Sequence, residues 1–240
     1  MKIKGWNLFE IIWLTLFTLV SIVLSVVWKD TILGFSVFLS GVICVVLAAK
    51  GNIWTYGFGI YNSLTYAYVS YLNGLYGETM LNALYYFPMQ IVGWLLWKKR
   101  MQGNTVEMRK LSTKGIVGIA ILCIAGTAAY GYWLSTLSGQ NTPYVDALTN
   151  VLSVMAMLLM AQRYREQWGL FILINVVSIV MWSYRLVNGS QDAATMVAMW
   201  SAYLVNSVYG FASWSRGVEK AANLNGNEEK DLKENRGVAV

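Results

Sequence analysis

Several apolar stretches of this chain carry side-chain amides, often with an aromatic ring one turn away. Asn175, Ser178 and Trp182 fall on one helical face, and so do Trp200, Tyr203, Asn206 and Gly210. A third face is Asn82, Tyr86, Gln90, Trp94 and Trp97; shorter ones are Asn62 with Tyr66 and Asn150 with Ser153. Amides donate and accept hydrogen bonds without charge, and indole and phenol rings stack. Together they suit a flat, heteroaromatic ligand bearing hydroxyls. Any single Asn can equally be a bond between packed helices, worth about 0.6 kcal/mol on average in a membrane. By depth and helical phase, Trp200, Tyr203 and Asn206 are candidate substrate contacts. Trp97 and Trp214 close their segments and read as anchors in the interfacial aromatic belt.

The missing groups narrow the chemistry further. The chain has no histidine, and no Asp, Glu, Lys or Arg sits at the centre of an apolar segment. A membrane-embedded enzyme needs a nucleophile–base pair or acidic metal ligands within reach, and none is offered. No metal site and no cofactor is expected, and no GxxxxGK[ST] run marks a nucleotide-hydrolysing loop. Cys44 and Cys123 lie inside apolar segments and read as small hydrophobes. Ion-driven pumps generally keep a titratable group in the membrane, so its absence favours a uniporter. Backbone carbonyls still leave ion coupling open. Pro88 lies two residues before Gln90 and removes one helical hydrogen bond. It reads as a gating hinge or as a static kink.

These residues must be held by membrane helices. Hydrophobic residues make up 57% of the 240 and charged residues 12%, about half the share of a soluble domain. Eight segments of about bilayer length follow: 8–28, 31–49, 53–72, 78–97, 115–136, 145–162, 168–187 and 192–213. Segment 8–28 has no small-residue cleavage site. It carries Glu10 and a Thr/Ser stripe, so it is a transmembrane or an interfacial helix. With the N-terminus in the cytosol, all Lys and Arg except Lys29 and Arg185 fall on the cytosolic side. The net charge of +6 is explained by this asymmetry and does not point to nucleic acid.

The chain also repeats itself. Gly93-Trp94-Leu95-Leu96-Trp97-Lys98-Lys99 echoes Gly210-Phe211-Ala212-Ser213-Trp214-Ser215-Arg216, Asn73-Gly74 echoes Asn188-Gly189, and Trp54 pairs with Trp168. Both echoes of the first pair end in the cytosol, so two three-helix repeats need one helix between them to run parallel. The expected fold is an all-α integral membrane protein of 3+1+3 transmembrane helices plus the N-terminal helix. Its parts are an N-terminal helix (1–30), a first bundle (31–97), a cytosolic loop and linker helix (98–144), a second bundle (145–216) and a disordered cytosolic tail (217–240). Duplicated spans with a solute site between the repeats are a transporter layout. A non-transporting assembly protein remains the alternative outside transport.

The face Gln90-x3-Trp94-x2-Trp97 and its looser copy Gly210-Phe211-x2-Trp214 resemble the PnuC family. So do Thr149-Asn150-x2-Ser153 and Gln167-Trp168-x6-Asn175-x2-Ser178-x3-Trp182. The resemblance covers roughly residues 30–216. It implies a bacterial inner-membrane, multi-pass transporter of nicotinamide riboside with a SWEET-like 3+1+3 architecture. It further implies a homotrimer, facilitated diffusion by alternating access, and trapping of the vitamin by a separate cytosolic kinase. It adds Gln90, Trp94, Asn150, Asn175 and Trp182 as substrate contacts. Relatives in the group carry thiamine or riboflavin, so another small polar solute is the alternative.

Overall fold

The computed structural model describes residues 6–27, 32–72, 79–137, 142–188 and 193–237. The described helices fall where the apolar segments predict them. They are α1 (Leu8–Val27), α2 (Ile32–Lys50), α3 (Trp54–Leu72), α4 (Phe87–Lys98), α5 (Thr113–Ser135), α6 (Pro143–Ala161), α7 (Gln167–Val187) and α8 (Ala193–Gly237). A π-helical stretch, Leu81–Tyr86, runs straight into α4. Ile32–Lys50, Thr113–Ser135, Pro143–Ala161 and Gln167–Tyr184 are long and apolar enough to cross a membrane. Large apolar side chains face outward, among them Ile32, Leu84, Ile124 and Val180, as the bilayer solvent allows.

Local signals account for the helix ends. At the start of α1, the Asn7 N–H donates to Glu10 and the Glu10 N–H donates to Asn7, at 2.9 and 2.8 Å. This reciprocal capping box satisfies two N–H groups that a helix start leaves unpaired. Glu10 is buried and also meets Lys50 of α2 at 3.1 Å, while Lys50 lies over the Trp6 ring. The acidic residue that made 8–28 look interfacial therefore ties α1 to α2. Ser112 caps α5 by accepting from the Gly115 N–H, and Pro143 opens α6, where its missing N–H costs nothing.

Between α4 and α5 the chain forms a small hairpin, with β1 (Met101–Gln102) antiparallel to β2 (Thr105–Val106). Gly103 turns it at φ +61, a backbone angle that glycine adopts without penalty. A Gly-Asn pair is a known hairpin turn signal, but strands of two residues are too short to show a pattern.

The chain divides into two compact units, Met1–Val106 and Glu107–Val240. In the first, α1 packs on α2, α2 on α3 and α3 on α4. In the second, α5 packs on α6, α6 on α7 and α7 on α8. The division falls after Val106, and α5 packs with α6 as α1 does with α2. The tail departs from expectation too, because α8 continues as helix through Gly237 where composition predicts disorder from Gly217. Alanine, leucine, glutamate and lysine are strong helix formers, and no proline interrupts the run. The Asn73-Gly74 and Gly189 echoes lie outside the described residues.

Candidate functional site

In the first unit the candidate residues lie on α4 and meet α3. Gln90 is buried, and its carboxamide rests on bare backbone: a Cβ at Gly59 would come within 2.5 Å of it. Its Oε1 is shielded from solvent and has no hydrogen-bond partner among the described residues. A buried acceptor left open costs about 1–3 kcal/mol. One turn on, half-buried Trp94 meets Trp54 edge-to-face, with ring centroids 5.6 Å apart. Gly57 makes room for both rings. The Gly57-x-Gly59 pair was the sequence signal for this niche.

Directly before this stretch lies the π-helical turn. The Phe87 N–H donates to the carbonyl of Asn82, five residues back. A proline ring clashes with the carbonyl four residues before it in an α-helix, and a wider turn moves that carbonyl aside. Pro88 thus sits where the wide turn gives way to α4.

In the second unit Asn175 on α7 donates to the hydroxyl of Ser207 on α8 at 2.9 Å, and both are buried. Asn206, also buried, is its chain neighbour. Trp200 packs on the cluster of Cys123, Leu152 and Ile174 and meets Tyr203 edge-to-face at 5.8 Å. The Trp200 indole N–H, like Gln90 Oε1, is buried with no partner among the described residues. Trp182 is half-buried, two turns beyond Asn175 on α7.

Asn150 is not drawn in. It is exposed, and its amide donates at 2.8 Å to the Asp146 carbonyl of its own helix. Asn62 is likewise committed, donating to the Val37 carbonyl and to Ser40 of α2 at 2.6 and 3.1 Å. For Asn62 the helix-packing reading holds. The partner of Asn175, Ser207, belongs to none of the polar-aromatic faces read from the sequence.

Trp97 and Trp214 are not belt anchors. Both are fully buried, Trp97 edge-on to Tyr56 at 4.9 Å and Trp214 against Trp168 at 6.4 Å. Spacing alone does not separate a belt ring from a core ring at a helix end. The Trp54–Trp168 pairing also fails. Trp54 is 59% exposed while Trp168 is buried, and Tyr56 occupies the place in the first unit that Trp168 holds in the second. No group of three or more metal-ligating side chains occurs among the described residues.

Residues 31–216 match the family described as Nicotinamide mononucleotide transporter. A Neisseria mucosa protein named Nicotinamide riboside transporter PnuC is 37% identical over 222 residues, 90% of this chain and 84% of that protein. The chain belongs to the PnuC family. The Haemophilus influenzae member of the same name is 35% identical, with 91% of this chain and 94% of that one covered. A structure titled Crystal structure of the Vitamin B3 transporter PnuC superposes with a TM-score of 0.76 at 36% identity, covering 91% of this chain and 95% of its own. A PnuC chain is a multi-pass membrane transporter, not an enzyme.

Proposed function

We propose that this chain imports nicotinamide riboside across the bacterial inner membrane by facilitated diffusion, as a uniporter working by alternating access. The observation that carries the reading is that each unit, taken by itself, holds a buried polar atom with an unmet need. Gln90 Oε1 is a buried acceptor and Trp200 Nε1 a buried donor, each without a partner among the described residues. A riboside supplies hydroxyl donors, and its carboxamide supplies a carbonyl. Trp94, Trp182 and Tyr203 offer faces for a cationic pyridinium ring, which aromatic rings hold without a carboxylate. Asn206 shares α8 with Trp200 and Tyr203, Asn175 of α7 is bonded to Ser207 beside it, and Asn150 completes the proposed set from an exposed position. Pro88, beside the π-helical turn, is the proposed hinge.

The same lack of charge favours the riboside over the mononucleotide in the family's description. A phosphate is held by Arg, Lys or oriented N–H groups, and no Lys or Arg lies at mid-span. An inside-negative potential favours entry of a monovalent cation by about 2.3 kcal/mol per 100 mV. Phosphorylation by a cytosolic kinase then removes the product and keeps the gradient inward. The basic residues support a cytosolic C-terminus and parallel 3+1+3 spans, with the homotrimer taken from the family resemblance.

Counterflow in proteoliposomes tests the reading. Labelled nicotinamide riboside should exchange, while nicotinamide mononucleotide, thiamine and riboflavin should not compete. Imposed proton or sodium gradients should leave the rate unchanged once the potential is clamped. Exchange of the mononucleotide at the riboside's rate, or acceleration by an ion gradient, overturns it.

A further inference from the structure

The second unit holds an apolar groove of about 620 Å3 that none of the proposed solute contacts lines. One wall is a single face of α5: Ile116, Ala120, Ile124 and Ala128 follow at four-residue steps. The opposite wall comes from α6 and α7, including Gly169 and Leu173. From Ile116 to Ala128 the groove follows α5 for about 18 Å at 1.5 Å per residue. That is close to the hydrocarbon depth of one leaflet, about half of 30 Å.

Positive charge gathers at one end. Leu111 and Glu166 line the groove there, and Lys110 and Lys114 flank Leu111 in the chain. Glu166 is spent: one oxygen accepts the Leu111 N–H at 3.0 Å and the other meets Arg165 at 3.2 Å. Lys110 and Lys114 are exposed and make no ion pair among the described residues, and the first turn of α5 holds no acid. Two unpaired cations thus stand at the mouth of a leaflet-deep apolar slot.

We infer that this groove holds one acyl chain of an anionic phospholipid, with the lipid phosphate at Lys110 and Lys114. The tail replaces lipid or solvent against an otherwise exposed α5 face, and the phosphate supplies the missing anion. Zwitterionic lipids fill the slot less well, because they bring a second cation to the same mouth.

Native mass spectrometry of the full-length, delipidated protein tests this with phosphatidylglycerol and phosphatidylcholine of identical tails. Wild-type protein should bind phosphatidylglycerol more tightly, and the double variant Lys110→Gln/Lys114→Gln should lose that preference by about thirty-fold. Gly169 lines the groove, and a Cβ there meets nothing within 4 Å. Gly169→Leu should therefore keep the melting temperature yet weaken both lipids about tenfold, the worth of roughly two displaced methylenes. Equal affinity for the two lipids in wild type overturns the headgroup assignment. Unchanged lipid binding in Gly169→Leu overturns the groove. So does a second copy of the chain in its place, seen as an oligomer that Gly169→Leu dissociates. Neither measurement depends on which solute is carried.

Discussion

The chain turns the same tight corner twice, once in each unit, with different residues. After α2, the Gly51 N–H donates to Ala48 and the Asn52 N–H to Leu47, both at 2.9 Å. After α6, the Arg163 N–H donates to Met160 and the Tyr164 N–H to Leu159, again both at 2.9 Å. The residue that ends each helix is left-handed, Gly51 at φ +70 and Arg163 at φ +68. Each offers its carbonyl to another segment of its own unit: Gly51 to the N–H of Val106, later in the chain, at 2.9 Å, and Arg163 to the N–H of Arg109, earlier in the chain, at 2.8 Å. The corners are 112 residues apart, while the Gly93 and Gly210 motifs are 117 apart. The backbone of the two corners matches, while the residues that form them differ.

The largest effects should come where both copies need a glycine. At Gly93 a Cβ would overlap the Tyr56 ring, and at Gly210 it would come within 2.6 Å of the Trp168 indole. Neither ring can swing away easily, since Trp97 backs the first and Trp214 the second. Overpacking of this kind costs about 1–3 kcal/mol. Gly93→Ala and Gly210→Ala should each lower the melting temperature in detergent by several degrees. Tyr56→Leu should recover most of the loss in the first case and none in the second. Recovery of both would mean that the two glycines answer to one packing site, and the comparison of two separate copies would fail.

An affinity loss of comparable size should separate two amides. Gln90 has an open acceptor, whereas Asn175 already holds Ser207. Gln90→Leu should weaken nicotinamide riboside binding about tenfold, the worth of one good hydrogen bond, with no loss of melting temperature. Calorimetry and a thermal melt on the same sample read both. If the melting temperature falls and affinity does not, Gln90 is a packing residue.

The corners differ next in how the left-handed residue is tolerated. Glycine adopts that conformation freely, while an L side chain there costs about 1 kcal/mol. Arg163 is buried, and its guanidinium reaches Glu107 at 2.9 Å and the Glu107 carbonyl at 3.2 Å. Glu107 is about one-third exposed, so solvent screens the pair and its removal should cost about 1 kcal/mol. Glu107→Gln should therefore lower stability modestly in wild type. In an Arg163→Gly background it should change nothing, because the strain and the buried cation have both gone. An equal cost in the two backgrounds would show that Glu107 acts elsewhere.

Helix positions were legible in the sequence because each span is a long apolar run with turn residues at its ends. The family was legible in the polar-aromatic faces. What escaped reading depends on pairing between helices. Trp54 and Trp168 look equivalent in a string, yet the rings packed at Gly93 and Gly210 make Tyr56 the counterpart of Trp168. The buried places of Trp97 and Trp214 come from glycines on their own helix, Gly93 and Gly210, that let a ring from the neighbouring helix sit beneath them. The Gln90 niche is a void left by Gly59 on another helix. Local propensity carries no information about such voids.

The smallest effect probes the amide that moved between copies. Ser63 on α3 precedes Asn175 on α7 by the 112-residue offset of the corners, and Gln90 precedes Ser207 by the 117-residue offset of the glycine motifs. In one copy the amide is on the later helix and in the other on the earlier, with a serine at the other position each time. All four are buried. If Asn175 serves chiefly to join α7 to α8, the cycle of Asn175→Ala, Ser207→Ala and the double variant should give a coupling of about 0.6 kcal/mol, and no more than about 1.7. Riboside affinity should then fall alike in both single variants, because each disturbs the same joint. A fall confined to Asn175→Ala would instead make its carbonyl oxygen a direct substrate contact. The amide's change of helix would then be the step that made a duplicated scaffold fit an asymmetric ligand.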